Sequence, residues 1–415
     1  MSQIEVWIDD DTLGDQSLVG YLTQSLSKTG NTVRFDYAEE WLKHSGSVTS
    51  FPLDHELSLA SGALYASAGA DQLSGIFLDC SPDRWGKMLM ERREAIEARE
   101  QKRKVHTLRS WDFLLGVNDE SRMGALRLRD TATSQYMDPR ALSAPPMTEL
   151  RALETAADKV ERGDDEQLSK WIKQLIAPGA SLGGARPKAS FRDIDGTLWL
   201  AKFPAMDDRR DVGLWEYLAF QLARHAGIDM PPARALKLSS RGHTFAVQRF
   251  DRTSTSRRMY TSALTRLART ESDGASYLDI VAAIESEGSS AQIAAQLQQL
   301  FRRVLFNILI GNRDDHLRNH GFLRVGNGWM LSPAFDVNPN PDKNTHVLTI
   351  DGSDASPDSS LLMTTAAFYR LKPKAVNTIE QEVRNAVRGW DKKAKARGIH
   401  RDEIALMQDA IDPER

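Results

Sequence analysis

The sequence predicts an α+β protein: an N-terminal α/β region, a middle segment built on a glycine-rich loop and a hairpin, and a largely helical C-terminal part. Three observations carry this. Short stretches near the N-terminus alternate apolar and polar residues, the period of a half-buried strand. A glycine-rich loop is followed by two strand-like runs around the turn Asp195-Gly196. Beyond Arg252, most apolar residues recur at helical spacing.

In chain order, Gln3 to Ile8 alternates Ile4, Val6 and Ile8 with polar neighbours, and Val33 to Tyr37 repeats the pattern, so both read as strands. Ser81-Pro82-Asp83 starts a helix with proline near its first turn. It runs through Trp85, Met88, Leu89 and Met90 into Arg92 to Lys104, where charges of alternating sign suggest a solvated face rather than a partner-binding arm. Asp130 to Pro146 is polar and proline-containing, and reads as a linker. Thr148 to Ile176 is a helical pattern that places Leu150, Leu153, Ala156, Val160, Leu168, Trp171 and Leu175 on or near one face.

Pro178 to Lys188 is too short and too basic to be a packing element. Glycines such as Gly183 and Gly184 let backbone N–H groups, with that of Ala185, approach phosphate oxygens, and Arg186 and Lys188 add positive charge beside them. The terminal Gly-Lys-Ser/Thr of a Walker A loop is absent. An isolated glycine cluster is equally a plain surface turn. Here, however, strands follow over Ala189 to Arg192 and Thr197 to Phe203, which puts Lys202 near the loop, where a lysine can reach nucleotide phosphates. Glu216, on a helix over Leu214 to Ala226, either pairs with Lys202 or lies on an exposed helix surface. Phe245 to Phe250 reads as an apolar strand ending at Asp251-Arg252, the expected lobe boundary. Helices are then expected over Tyr277 to Glu285, Ser290 to Leu309, Leu361 to Tyr369 and Asn377 to Lys395.

The stretch Phe301 to Asn340 carries the clearest chemistry. A buried helix ends near Gly311-Asn312, Arg313 to Asn319 forms a polar loop, and Gly321 to Val325 and Trp329 to Leu331 form a hairpin, after which comes Asp336. Phosphoryl transfer is mostly positioning and charge neutralisation, and this order is one way to arrange a base and two magnesium ligands around the transferred group. In that reading Asp314 accepts the acceptor hydroxyl's proton, while Asn319 and Asp336 hold Mg²⁺ through oxygen atoms. Asp, Asn and His are also ordinary loop residues, so the spacing alone leaves a purely structural loop open.

Composition bounds the partners. The chain has 415 residues, enough for two or three domains, and a formal charge of −3, which disfavours nucleic-acid binding by the whole surface. Its single cysteine, Cys80, excludes an internal disulfide and a cysteine-built zinc site. No basic-then-apolar leader pattern opens the sequence, and no long apolar run occurs, so a cytoplasmic protein without a membrane role is expected.

Asn312-Arg313-Asp314-Asp315-His316-Leu317-Arg318-Asn319, followed by Leu331-Ser332-Pro333-Ala334-Phe335-Asp336-Val337, resembles the HipA-type toxin kinases. Ser181-Leu182-Gly183-Gly184-Ala185-Arg186-Pro187-Lys188-Ala189 resembles that family's phosphate loop, Gln248-Arg249-Phe250-Asp251-Arg252 its segment between lobes, and Leu78 to Lys87 and Leu114 to Leu128 its N-terminal motifs. These occur in family order. The resemblance implies a bilobal, protein-kinase-like fold, with an N-terminal subdomain over residues 1–140, a nucleotide-binding lobe over 141–252 and a helical lobe over 253–415. It also implies ATP and Mg²⁺ as cofactors, a phosphate-contacting Lys202, adenine held near Gln248 to Phe250, nucleotide contacts from His316, Asn319 and Asp336, and autophosphorylation at Ser181. Phe250 either stacks on adenine or packs in the core.

The implied activity is that of a serine/threonine protein kinase, the toxin of a toxin–antitoxin pair. Its partners would be a HipB-like helix-turn-helix antitoxin, DNA reached through that antitoxin, and a protein substrate for which the translation machinery is one candidate source. Between Arg252 and Tyr277 the sequence departs from the acidic Glu-Asp and later Cys-Gln that many members carry, which leaves the substrate open. Two other readings stand beside this one: a kinase-fold module that holds a repressor on DNA with little turnover, and a small-molecule kinase.

Overall fold

The computed structural model describes residues 2–27, 30–43, 50–69, 72–137, 144–163, 170–172, 175 and 184–415. Helices and strands are mixed, as expected. Two compact units divide the chain: Met1–Asp207 with Ala246–Thr261, and Asp208–Phe245 with Ser262–Arg415. The expected segments 1–140, 141–252 and 253–415 are not the units of this division. The chain enters the second unit for the helix Val212–His225 and returns to the first along the strand Thr244–Gln248, so the middle segment is shared.

The first unit opens with an antiparallel sheet in the order β3-β2-β1-β4, made of β1 (Ser2–Ile8), β2 (Ser17–Ser27), β3 (Gly30–Tyr37) and β4 (Leu126–Asp130). Ile4, Val6 and Ile8 bury one face, the one the alternation marks. The sequence reading missed β2. Val19-Gly20 and Leu22-Thr23 are buried in pairs there, so the period of two is lost. The helix Arg84–Glu100 is capped by Asp83, whose carboxylate accepts from the Gly86 N–H, and it stops before the expected Lys104. Lys102 takes φ +51, and Arg103 folds back onto the largely buried Glu94, which also accepts the His106 N–H. Its charged half is therefore not simply a solvated face.

The expected helix Thr148 to Ile176 is also cut short. A helix spans Leu150–Arg162 and ends at Gly163, whose φ of +68 turns the chain out of the helix, although residues 170–172 and 175 are again helical. Strands β5 (Lys188–Arg192) and β6 (Leu198–Lys202) form the expected hairpin, with Lys188 opposite Lys202 and Gly196 at φ +82 in the turn.

In the second unit the central helix is Ile293–Ile310, buried along nearly its whole last half and packed against Tyr277–Glu287, Ser359–Thr364 and Pro373–Val387. Two expected helices change. The one expected to reach Tyr369 ends at Thr364, and the one over Asn377 to Lys395 breaks into Pro373–Val387 and Trp390–Ala396, because Gly389 takes φ +68 between them. The helix Val212–His225 is capped by Asp211, and its Trp215 ring lies 6.1 Å from that of Trp390. No described helix is long and apolar enough to cross a membrane.

Candidate active site

The polar loop of the second unit begins where the central helix ends. Gly311 takes φ +67, and a Cβ there would meet the Ala410 carbonyl oxygen at 2.5 Å, so both conformation and space call for glycine. The Arg313 N–H then donates to the Gly311 carbonyl at 2.9 Å, and a short 3₁₀ turn, Leu317–Asn319, leads into the strand Gly321–Val325. That strand pairs with Gly328–Leu331 across a turn in which Gly326 has φ +56, the expected hairpin.

Neighbouring aspartates on this loop face opposite ways. Asp314 is exposed, and its carboxylate is met by the Lys343 ammonium. Lys343 is held from behind, since its carbonyl accepts from Arg313 and the nearby Asn340 N–H donates to the Gly311 carbonyl at 2.8 Å. Asp315 is only 3 % exposed. The Tyr277 hydroxyl, the Asn307 amide and His320 Nε2 each donate to its Oδ2 at 2.8 Å, His320 in the tautomer that carries its proton there. Burial pushes the Asp315 carboxyl up, but the His320 ring and the donated hydrogen bonds outweigh it and hold the group below the usual carboxylate range. Burial and the same carboxylate push the Tyr277 hydroxyl well above its ordinary value.

Asn319 is half-buried and its amide makes a long contact, 3.4 Å, with the Asp314 carbonyl. His316 is half-buried too, and its Nδ1 has no hydrogen-bond partner among the described residues. The approach to Asp336 is fixed by backbone bonds, from Ser332 N–H to the Gly321 carbonyl and from Ala334 N–H to the Asp229 carbonyl, both 2.8 Å. Asp336 itself is exposed with φ +56, a left-handed conformation that a non-glycine residue adopts at a cost of roughly 1–2 kcal/mol. Asn319 and Phe335, the neighbour of Asp336, line the same small pocket, together with Arg303, Asp315 and His320. Glu216 is 4 % exposed in this unit, which removes the exposed-surface alternative for it.

The other candidates lie in the first unit. Ser181 and Gly183 fall outside the described residues. Gly184 has φ +102, and its carbonyl accepts from the Lys188 ammonium at 3.0 Å. Lys188 is 1 % exposed and ion-paired with Asp83 at 2.7 Å, while Arg186 donates to the Phe203 carbonyl at 2.9 Å. Both cations thus tie down the chain that leaves Gly184 and Ala185, a different duty from the open charges the sequence suggested. Lys202 and Gln248 are half-buried, and the half-buried Phe250 ring sits 5.9 Å from that of Tyr260.

Four elements of the two units were missed. Asp83 and Lys343 are separated in sequence from the residues they pair with. Asp315 reads as a duplicate of Asp314 until burial sorts the two, the one hint being a histidine five residues on. The fourth is a buried charge cluster, in which Asp251, fully buried, accepts from Arg249, from Arg252 at 2.7 Å and from the Gly124 N–H at 2.8 Å. Burial opposes ionisation of Asp251, but its arginine partners hold the carboxyl far below the usual range, and burial pushes Arg252 down to about 9.

Comparison with known proteins follows the same outline. The family described as HipA-like C-terminal domain matches residues 180–390, about half of the chain, including every candidate site residue that the sequence singled out, but not Asp83. The structure resembles HipA in the complex of HipA, HipB and operator DNA from the Shewanella oneidensis MR-1 toxin–antitoxin system. The TM-score is 0.65 at 16% identity, over 98% of this chain and 94% of that one. A likeness to the Helicobacter pylori proinflammatory kinase CtkA is weaker, with TM-score 0.42 and 16% identity over 56% of this chain and 88% of that one. A search of curated proteins gave no match. With its HipA-like C-terminal domain and its α+β fold alike over nearly the full length, this chain belongs to the HipA family.

Proposed function

We propose that this protein is an ATP-dependent serine/threonine protein kinase and the toxin of a toxin–antitoxin pair. The observation that carries the reading is the exposed Asp314 on a loop anchored by its buried neighbour, with Asn319 and the residue next to Asp336 lining one pocket. The donor chemistry fits the implied cofactor. Among the described residues no group of three or more His, Cys, Asp or Glu could hold a metal, which argues against a zinc-type cage. Mg²⁺ asks for less, one or two protein oxygens completed by water and phosphate, and Asn319 with Asp336 can supply them. When bound, Mg²⁺ would neutralise charge on the phosphate oxygens. Asp314 then orients the acceptor hydroxyl and takes its proton, which requires the Lys343 ammonium to turn aside.

Within the first unit, Gly184, Ala185 and, in the sequence before them, Gly183 offer backbone N–H groups to phosphate. Lys188 and Arg186 hold that loop's trailing end, Lys202 is the phosphate-contacting lysine, and Gln248 and Phe250 frame the adenine. His316 contacts phosphate. Phosphorylation of Ser181 places a dianion in the phosphate loop, where it repels nucleotide and switches the kinase off. A HipB-like helix-turn-helix protein is the proposed antitoxin, and DNA is reached through it, because the Shewanella HipA is found with HipB and its operator. The acceptor is a protein, with the translation machinery a candidate source, and the setting is the cytoplasm.

Intact-mass measurement after incubation with Mg-ATP tests this directly, wild type beside Asp314→Ala, with tandem spectra to locate the phosphate. One added phosphate on Ser181 in wild type alone is the expected result. No gain in either, with nucleotide still bound, would favour a repressor-holding module instead.

A further inference from the structure

The buried aspartate beside the proposed base enters that reading only as an anchor of the loop, with no part in the reaction. It is an expensive residue to keep: a carboxylate at 3 % exposure held ionised by neutral donors and a histidine, where an apolar side chain would avoid the desolvation cost. Its donors come from three separate elements. Tyr277 is the first residue of the helix Tyr277–Glu287, Asn307 lies in the last turn of Ile293–Ile310, and His320 follows the 3₁₀ turn at the far end of the loop. Asn307 is itself oriented by the Asn312 amide at 3.1 Å, and the Leu317 N–H is held by the Ser272 hydroxyl at 3.1 Å. One side-chain oxygen therefore ties both helices to both ends of the loop.

We propose that Asp315 is a positioning residue, which fixes the loop backbone so that the side chains of Asp314 and Asn319 stand in register for reaction. The geometry requires the coupling. Adjacent residues share a peptide, so clamping the inward side chain at Asp315 sets the direction of the outward one at Asp314. The 3₁₀ turn then carries this setting to Asn319, whose N–H donates to the His316 carbonyl at 2.8 Å. A misplacement of about 1 Å in such a group can reduce turnover by about a hundredfold. This inference rests on the reading of Asp314 as the base.

The test compares wild type with Asp314→Ala, Asp315→Asn, Tyr277→Phe and the double variant Asp314→Ala/Asp315→Asn, reading Mg-ATP-dependent phosphate incorporation. Amide hydrogen exchange of residues 313–320 in the nucleotide-free protein is the second readout. Asp315→Asn should lower kcat by about 10–100-fold and raise KM for ATP, since His316 and Asn319 lie on the same loop, speed exchange in the loop, and cost clearly less in the Asp314→Ala background, where only the Asn319 part of the effect remains. Tyr277→Phe, which removes one donor and keeps the carboxylate, should fall between and decides the matter if Asp315→Asn does not fold. Wild-type kcat and exchange in both single variants, with Asp314→Ala inactive, would overturn the role of Asp315 and leave the base reading intact. An Asp314→Ala variant as active as wild type would instead overturn the base reading itself.

Discussion

The Lys188 ammonium and the Asp83 carboxylate meet at 2.7 Å inside the first unit, joining the first residue of a strand to the N-cap of a helix. The same ammonium holds the Gly184 carbonyl at 3.0 Å, so a helix cap, a hairpin and the end of the glycine loop share one charge. Burial pushes the Asp83 carboxyl up while Lys188 pulls it back, the balance expected of a pair whose members need each other. Asp83→Asn should lower unfolding stability by about 3 kcal/mol, because it strands a buried ammonium. The double variant Asp83→Asn/Lys188→Met, which keeps a capping side chain at position 83, should recover most of that loss in urea melts. Equal destabilisation by the single and double variants would mean that the pair is solvated and interchangeable with polar contacts.

The fully buried Asp251 makes a second prediction, with a definite pH window. Its folded pKa lies well below the unfolded carboxylate value of about 4, so its stabilisation is present above about pH 4 and is lost as pH falls further toward the folded value. Asp251→Ala leaves Arg249 and Arg252 without their carboxylate and should cost about 3–5 kcal/mol at neutral pH. That cost should shrink steadily below about pH 4. A penalty independent of pH, measured by urea unfolding from neutral to acid, would point to lost packing rather than lost charge.

Gly311→Ala probes the hinge between the central helix and the polar loop. Left-handed backbone costs a non-glycine residue roughly 1–2 kcal/mol, and here the added methyl also meets the Ala410 carbonyl oxygen at 2.5 Å. The melting temperature should drop, and phosphate incorporation should fall more than stability alone accounts for, since the displaced segment carries Asp314. An alanine variant with wild-type melting and turnover would contradict the close packing of this hinge.

The sequence was most informative where function depends on local order. Helix, polar loop, hairpin and aspartate follow one another within forty residues, so the stretch from Phe301 to Asn340 could be read before any contact was known. Local signals failed in two ways. A helical period continues through a glycine that turns the chain, as at Gly163 and Gly389, because periodicity reports burial and not backbone conformation. Partners distant in sequence leave no local trace: Asp83 and Lys188 are 105 positions apart, and Asp251 and the Gly124 N–H are 127 apart. The two aspartates at 314 and 315 are the instructive case, since identical side chains acquire opposite environments only when Tyr277, Asn307 and His320 are brought to one of them.

His346 supplies the last prediction. It is 4 % exposed, and burial pushes its pKa down to about 4 against weaker pulls from Asp315 and from a backbone hydrogen bond at Asn312. The arginines nearby, Arg313 and Arg415, push in the same direction as burial. The unfolded chain therefore takes up a proton as pH falls through about 6.5, whereas the folded chain does so only near about 4, and stability is lost across that interval. The gap corresponds to about 3 kcal/mol. Between neutral pH and about pH 4, the unfolding free energy of His346→Leu relative to wild type should therefore shift in the variant's favour by about that amount. A difference that stays constant across the titration would mean that His346 is protonated or hydrated in the folded protein, and the packing around the Asp314 loop would then have to admit water.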